Sequence, residues 1–182
     1  MFLLLLPGCG FFSRPPNQFY SLQTIRSEAP VVSIGSTPVG IDGVELPPGI
    51  DRRGIVVRGA DHKLEVRGTH QWSSSLEEMV THTLAFNLAN RTAEGSVVLP
   101  GQVKPAAMRS IFVTFEELAP GADGVFILDA RWSVTGRGAP VVTTHERISV
   151  QLDSMDSERI VGGMSTALAM LADRMVARLA GG

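Results

Sequence analysis

The order of periodic segments along this chain of 182 residues predicts an α+β domain, a mostly antiparallel sheet with two helices packed on one face. Strand signals fill the first third of the chain, and a segment with apolar residues at helical spacing follows them. Alternating strands then return, and a second helical segment closes the chain. Runs of strands and helices in this order are typical of an α+β fold.

Four stretches in the first third carry the β-branched and aromatic residues that favour strands. The predicted strands cover residues 19–25, 31–41, 55–58 and 63–67. A Gly-Ala-Asp turn at residues 59–61 joins the last two of them.

A helix is predicted over residues 75–92, because its apolar residues recur at helical spacing and share one face. These residues are Leu76, Met79, Val80, Leu84 and Leu88. Two capping boxes could start this helix, Ser74 with Glu77 or Ser75 with Glu78.

The middle of the chain returns to strand patterns, at residues 97–99, 111–115, 125–135 and 141–152. The third of these has the clearest alternation, with Trp132 on its apolar face and Asp129 on the other. In the fourth, we expect Val142 and Ile148 to face inward, together with Val150 and Leu152. A glycine-rich hairpin turn at 136–140 separates the two strands.

A final helix is predicted from about Asp156 to Ala180, and Gly181 can end it. Its apolar stripe consists of Ile160, Met164, Leu168, Leu171, Met175 and Leu179.

Cys9 is the only cysteine, and it follows an apolar run that ends in the small residue Gly8. This pattern is typical of a bacterial lipoprotein signal, which is cut before a cysteine that then carries lipid. The sequence therefore divides into a signal remnant (1–8), a lipidated cysteine with its tether (9–18) and a single domain (19–182). A buried or incidental thiol is the alternative. Gly10 is not the aspartate that commonly retains lipoproteins at the inner membrane, which favours the outer membrane.

Composition excludes several classes of function. A net charge of −2 gives no electrostatic basis for binding nucleic acid. No later segment has the ~20 consecutive apolar residues of a membrane-spanning helix. A single cysteine and four histidines, none of them in an H-x-x-x-H pair, predict neither a metal site nor a cofactor. Glu116 and Glu117 are adjacent on a strand, so we expect them on opposite faces, unable to share acid–base catalysis. We therefore do not expect an enzyme.

Basic residues are concentrated around the third and fourth predicted strands. They are Arg52, Arg53, Arg58, Lys63 and Arg67. One interpretation is a solvated strand face. The other is a surface that docks an acidic partner or lipid head groups, with Arg52, Arg53 and Arg58 as the candidate docking residues.

Three sequence elements resemble a known family. Residues 19–22 (FYSL) follow the lipidation signal, residues 46–58 read L-P-x-x-I-D-R-x-x-I-V-V-R, and Gln71-Trp72 precedes the first helix. Their order resembles the PqiC-like family, the auxiliary lipoprotein component of ABC-type transport systems. A serine, Ser74 or Ser75, stands where the family pattern Trp-x-x-Pro-Leu has proline.

The resemblance implies a fold like that of the TolB N-terminal domain and a non-catalytic periplasmic subunit, lipid-anchored in the outer membrane. It further implies that this subunit docks an MCE-domain protein and, through it, an ABC permease and ATPase that move phospholipids and support membrane integrity. A homo-oligomer is left open. The alternative function is a lipoprotein that itself binds a lipid or hydrophobic ligand. A cavity between helix and sheet would favour that alternative, whereas a filled core would favour docking.

The lipidation hypothesis makes a direct prediction. Because Cys9 is the only attachment point for lipid, Cys9→Ser should move the protein to the soluble periplasmic fraction without unfolding it. Fractionation of cells measures this, with circular dichroism as the control for folding. A variant that stays with the membrane, or mature protein that retains residues 1–8, would contradict the hypothesis.

Overall fold

The computed structural model describes residues 15–59, 63–136 and 141–181. Cys9, the signal remnant and most of the tether lie outside the described residues, as do positions 60–62 and 137–140 of the two predicted turns.

The described chain contains two helices and eight strands, which confirms the predicted α+β class. The strands are β1 (Gln18–Tyr20), β2 (Val39–Glu45), β3 (Gly54–Arg58), β4 (Leu64–Trp72), β5 (Val97–Val98), β6 (Arg109–Pro120), β7 (Val125–Thr135) and β8 (Val142–Gln151). The helices are α1 (Leu76–Ala89) and α2 (Ser157–Gly181).

The strands form two mixed sheets instead of one mostly antiparallel sheet. The larger has the order β5-β2-β6-β7-β8, and the smaller has the order β1-β4-β3. β6, β7 and β8 form the antiparallel meander that the sequence predicts, but β2 pairs in parallel with both β5 and β6. β1 is likewise parallel to β4. A parallel pair needs a long crossover connection, and α1 lies within the one that joins β2 to β6.

Both helices pack against each other and against the larger sheet. The predicted stripe of α2 is buried, and it faces buried residues of β7 that include Phe126, Leu128 and Trp132. Gly163 lies at a close contact of this interface. A Cβ there would overlap Leu152 Cδ2, so the Leu152 side chain would have to shift for any larger residue.

Local hydrogen bonds define where each helix starts. Ser75 Oγ accepts from the Glu78 N–H at 3.5 Å, which identifies the second of the two predicted capping boxes. Asp156 Oδ1 accepts from the Arg159 N–H at 2.8 Å at the start of α2. Arg67 of β4 donates to Ser157 Oγ at 2.8 Å and to the Met155 carbonyl, so the smaller sheet is tied to the start of α2.

α2 is the one helix of the described residues that is long and apolar enough to cross a membrane, with a mean hydropathy of 1.3 in its most apolar window. However, 67% of that window is buried inside the fold. A helix whose apolar stripe contacts a sheet and a second helix belongs to the core of a folded domain.

The prediction of strands at 19–25 and 31–41 is largely wrong. β1 ends at Tyr20, β2 begins only at Val39, and residues 21–33 form an irregular segment that crosses α1 and α2 and is here named the strap. Among the described residues, its backbone forms only one isolated β-bridge, between Val32 and Thr92, and helix side chains bind it elsewhere. The Gln23 N–H donates to Ser165 Oγ at 3.1 Å, and the Ile25 N–H donates to Asn87 Oδ1 at 2.9 Å.

Arg91, directly after α1, completes the attachment of the strap. Its side chain is only 5% exposed, and it donates to both carboxylate oxygens of Asp173 on α2, at 2.5 and 3.2 Å. It also donates to the carbonyls of Ile25 and Asn87, each at 3.0 Å. One guanidinium group therefore joins the strap to both helices.

The prediction for β7 is confirmed and that for β8 only in part. β7 has the predicted bounds, and Trp132 is only 3% exposed. Ile148 and Leu152 are buried as predicted, but Val142 is 59% exposed. β8 is an edge strand, and an open cleft separates its first residues from the C-terminal end of α2. The helix therefore does not cover Val142.

Candidate functional site

Phe19 is an exposed aromatic residue at the point where the tether meets the domain. β1 pairs with β4 in register, so that Phe19 is opposite Gln71 and Tyr20 is opposite Trp72. The Ser73 N–H donates to the Tyr20 carbonyl at 2.9 Å and extends this pairing. The backbone is therefore fixed, while the Phe19 side chain remains 59% exposed. A fixed, exposed aromatic side chain is typical of an interaction surface.

Arg52 and Arg53 lie next to it, on the connection between β2 and β3. Ile50, only 4% exposed, anchors this connection in the core, and its carbonyl accepts from the Arg52 N–H at 2.8 Å. The Arg53 carbonyl accepts from the Trp72 N–H at 2.8 Å. The side chains of both arginines are exposed to solvent. Among the described residues neither forms an ion pair, and Arg52 Nε donates only to the Gly49 carbonyl, at 3.0 Å.

These residues line a cleft of about 420 Å³, here named the basic cleft. Its walls are Phe19, Asp51, Arg52, Arg53, Trp72 and the Ser73–Leu76 start of α1. Trp72 Nε1 is buried and has no hydrogen-bond partner among the described residues. Phe19 also lines a second cleft of about 620 Å³ between the strap and the first turns of α2. Phe19 thus stands between two concave surfaces, an arrangement that suits contact with another protein.

The length of chain between Cys9 and Phe19 limits how far apart these two residues can lie. Nine residues, positions 10–18, separate Cys9 from Phe19. At ~3.3 Å per residue they span at most about 30 Å. If Cys9 carries lipid, the basic cleft lies within that distance of the bilayer surface.

Arg58 does not belong to the basic cleft. It lies at the opposite end of β3 and forms an ion pair with Glu117 of β6 at 3.8 Å. Glu117 also contacts Arg147 of β8 at 3.7 Å. The structure therefore brings together Arg52 and Arg53 but directs Arg58 into a separate network, here named the charged ladder. Its members are Arg58, Glu116, Glu117, Asp129, Arg131, His145 and Arg147.

Asp129 is the buried centre of the charged ladder, with a side chain only 10% exposed. His145 Nε2 and Arg147 Nη1 each lie 2.5 Å from its carboxylate oxygens. Burial by itself would raise the pKa of Asp129, but the hydrogen bonds from His145 and Arg147 and their charges lower this pKa below its ordinary value. The ladder holds Asp129 as a carboxylate on the sheet face opposite the helices.

Glu116, Asp129 and His145 could be mistaken for a metal site, because one ligand atom from each lies within 4.8 Å of the others. Their ligand atoms already have partners, however. Arg131 Nε donates to Glu116, and Asp129 binds both His145 and Arg147. Arg131 and Arg147, which bind these two carboxylates, repel a divalent cation. The arrangement pairs the carboxylates with arginines across the strands of the meander.

The expectation that Glu116 and Glu117 lie on opposite faces is wrong. The β6–β7 pairing shifts register between Phe115 and Glu117, which marks a β-bulge. A bulge adds one residue to a strand and turns its side chain. Consequently both glutamates reach the charged ladder, Glu116 through Arg131 and Glu117 through Arg58 and Arg147.

Comparisons with known proteins agree with this architecture. The family model for the ABC-type transport auxiliary lipoprotein component matches residues 20–176. One similar crystal structure, of an uncharacterized protein, has a TM-score of 0.74 at 15% identity and covers 91% of this chain and 99% of its own. Protein XCC0632 from Xanthomonas campestris has a TM-score of 0.69 at 13% identity, with coverages of 87% and 92%. At such identities these two structures show the fold alone. No curated protein sequence matches the chain.

The charged ladder predicts a specific pH dependence of stability. The pKa of Asp129 is lower in the folded state than in the unfolded chain, so its stabilisation is complete above the unfolded value and is lost as pH falls through the folded value. Asp129→Asn should cost about 1–3 kcal/mol at pH 7, the usual cost of losing hydrogen bonds to a buried charged group. It should also flatten the loss of stability below about pH 4, near the ordinary aspartate pKa.

Urea denaturation at a series of pH values measures both effects. Asp153→Asn is the matched control, since the Asp153 side chain is 85% exposed and its contact with Arg159 is 3.9 Å long. Equal stability-against-pH curves for the wild type and Asp129→Asn would show that the ladder does not stabilise the fold.

Proposed function

Because the chain belongs to the family of ABC-type transport auxiliary lipoprotein components, we propose that it is a non-catalytic subunit that docks an MCE-domain protein at the periplasmic face of the outer membrane. The family makes the protein an auxiliary part of a transport system and a lipoprotein, held at a membrane of the cell envelope. The docking role, the MCE-type partner, the outer membrane and the absence of catalysis are parts of the proposal.

The observation that carries the proposal is the basic cleft. It presents two exposed guanidinium groups without ion-pair partners among the described residues, beside an exposed phenylalanine, on backbone fixed by hydrogen bonds. Arginine and aromatic residues on fixed backbone are enriched among the residues that dominate binding energy at protein interfaces. The complementary partner surface is acidic with an apolar centre.

Two further features support docking over catalysis. Apart from an open cleft at the C-terminal end of α2, the space between the helices and the larger sheet is filled by a continuous cluster of buried apolar side chains. No enclosed chamber for a reaction is therefore found among the described residues. The closest group of carboxylates and histidine, in the charged ladder, is occupied by arginines. A protein of this kind acts through contacts on its surface, with the ABC permease and ATPase reached through the MCE-domain protein.

The docking proposal predicts the effect of reversing charge in the basic cleft. Exposed charges at an interface chiefly change the association rate and its salt dependence. Arg52→Glu combined with Arg53→Glu should therefore slow association with the cognate MCE-domain protein by about tenfold at low ionic strength, and less at high salt. Surface plasmon resonance over a salt series measures the rates.

Arg178→Glu is the control for the single variant Arg52→Glu, because each reverses one positive charge. Arg178 is another exposed arginine without an ion pair among the described residues but lies near the C-terminal end of α2. Arg178→Glu should leave the association rate within about twofold of the wild type. Equal slowing of association by the two single variants would show that the effect arises from net charge alone. No association between the two purified proteins at any salt concentration would refute docking itself.

A further inference from the structure

A separate cleft of about 510 Å³ opens between the C-terminal end of α2 and strands β6, β7 and β8, and is here named the α2 cleft. Its apolar wall comprises Trp132, Val134, Val142 and Leu179. Val134 and Val142 are register partners on β7 and β8, so they form a continuous apolar strip. The volume lies within the roughly 300–1,000 Å³ of small-molecule sites, which are mostly apolar with a few polar groups.

The charged side chains that line the α2 cleft among the described residues are all cationic. Two arginines, Arg109 and Arg178, line it, and no described aspartate or glutamate does, although the whole chain carries a net charge of −2. Arg178 is exposed and forms no ion pair among the described residues. Arginine has five donors and no acceptor, so such a lining selects an anion.

Arg109 is held in place by the fold. Arg109 Nη2 donates to the carbonyls of Ile34 and Thr37, which fixes the guanidinium group. Arg109 Nε and Trp132 Nε1 are fully buried, so a ligand in the cleft does not reach these two atoms. Arg178 is therefore the exposed donor that can bind an anionic head group.

We propose that the α2 cleft binds a single-chain amphiphile with an anionic head. The acyl chain lies along Trp132, Val134 and Val142, and a carboxylate or phosphate head accepts hydrogen bonds from Arg178. Val142, 59% exposed without a ligand, is covered in the complex. The site is independent of the proposed docking surface, because the two lie at opposite ends of α2. Phe19 of the basic cleft also lines the cleft beside Val161, near the start of α2. From Val161 to Arg178, α2 extends for roughly 25 Å.

Calorimetric titration of the full chain carrying Cys9→Ser, prepared without detergent, tests the ligand class. The probes are oleate, 1-oleoyl-lysophosphatidylglycerol and the neutral monoolein, each below the concentration at which it aggregates. We expect saturable binding of at least one anionic probe and about tenfold weaker binding of monoolein, which lacks a charge-assisted hydrogen bond. The tighter anion identifies the head group as carboxylate or phosphodiester. Monoolein binding as tightly as both anions, or no saturable binding of either anion, overturns the proposal.

Variants locate the site. Val142→Glu changes an exposed strand residue and places a negative charge on the apolar strip, so it should weaken binding of the anionic probe by at least about tenfold. Arg178→Ala should weaken it by about fivefold to tenfold and leave monoolein unaffected. Arg159→Ala, an exposed arginine in the first turn of α2, is the matched control and should have no effect. Unchanged affinity in Val142→Glu, with thermal unfolding showing an intact fold, would overturn the assignment of the site.

The same variants separate this inference from docking. Val142→Glu should leave association with the MCE-domain protein unchanged, and the Arg52→Glu, Arg53→Glu double variant should leave amphiphile affinity unchanged. Loss of amphiphile binding in the double variant would instead place the ligand in the basic cleft and contradict the α2 cleft.

Discussion

The buried guanidinium group of Arg91 is the contact on which the arrangement of the whole chain depends. It joins Asp173 of α2, the Asn87 carbonyl of α1 and the Ile25 carbonyl of the strap. A buried cation is stable only when its donors are satisfied, so these three segments must come together around it. Asn87, fully buried beside it, accepts from the Ile25 N–H and so binds the strap a second time.

This attachment determines where the tether leaves the domain. Because the strap is held across α1 and α2, the chain before it reaches β4 and pairs there as β1. Phe19 then projects beside Arg52 and Arg53, and nine residues separate it from Cys9, the proposed site of lipidation. The buried polar cluster around Arg91 thereby fixes the strap that follows Phe19 and, in the proposal, orients the docking surface.

The local residue pattern was sufficient to predict those elements whose buried face is determined by their own sequence. The alternation around Trp132 gave β7 its bounds, and the stripe of α2 gave its buried face. The strap could not be predicted in the same way. Val31 and Val32 have high strand propensity, but only Val32 forms a β-bridge, with Thr92. The other partners of this segment are Ser165, Asn87 and Arg91, which are distant in sequence.

The candidate site was predicted in part for a similar reason. Arg52 and Arg53 adjoin in sequence and stay together in the fold, whereas Arg58 is at the far end of β3 and meets Glu117 through a long-range contact. The bulge at Glu116 and the α2 cleft also arise from strand pairing and helix packing. No local pattern marks either of them, although the exposed Val142 departs from the expected burial of β8.

Amide hydrogen exchange in Arg91→Met tests most directly whether Arg91 holds the strap in place. Methionine keeps much of the side-chain volume but removes every hydrogen bond of the guanidinium group. The account predicts that the Ile25 and Gln23 amides lose protection, while amides of the buried centre of α2, such as that of Leu168, remain protected in a folded protein. Ile25 protection equal to that of the wild type would contradict the account, because the strap would then be held without Arg91.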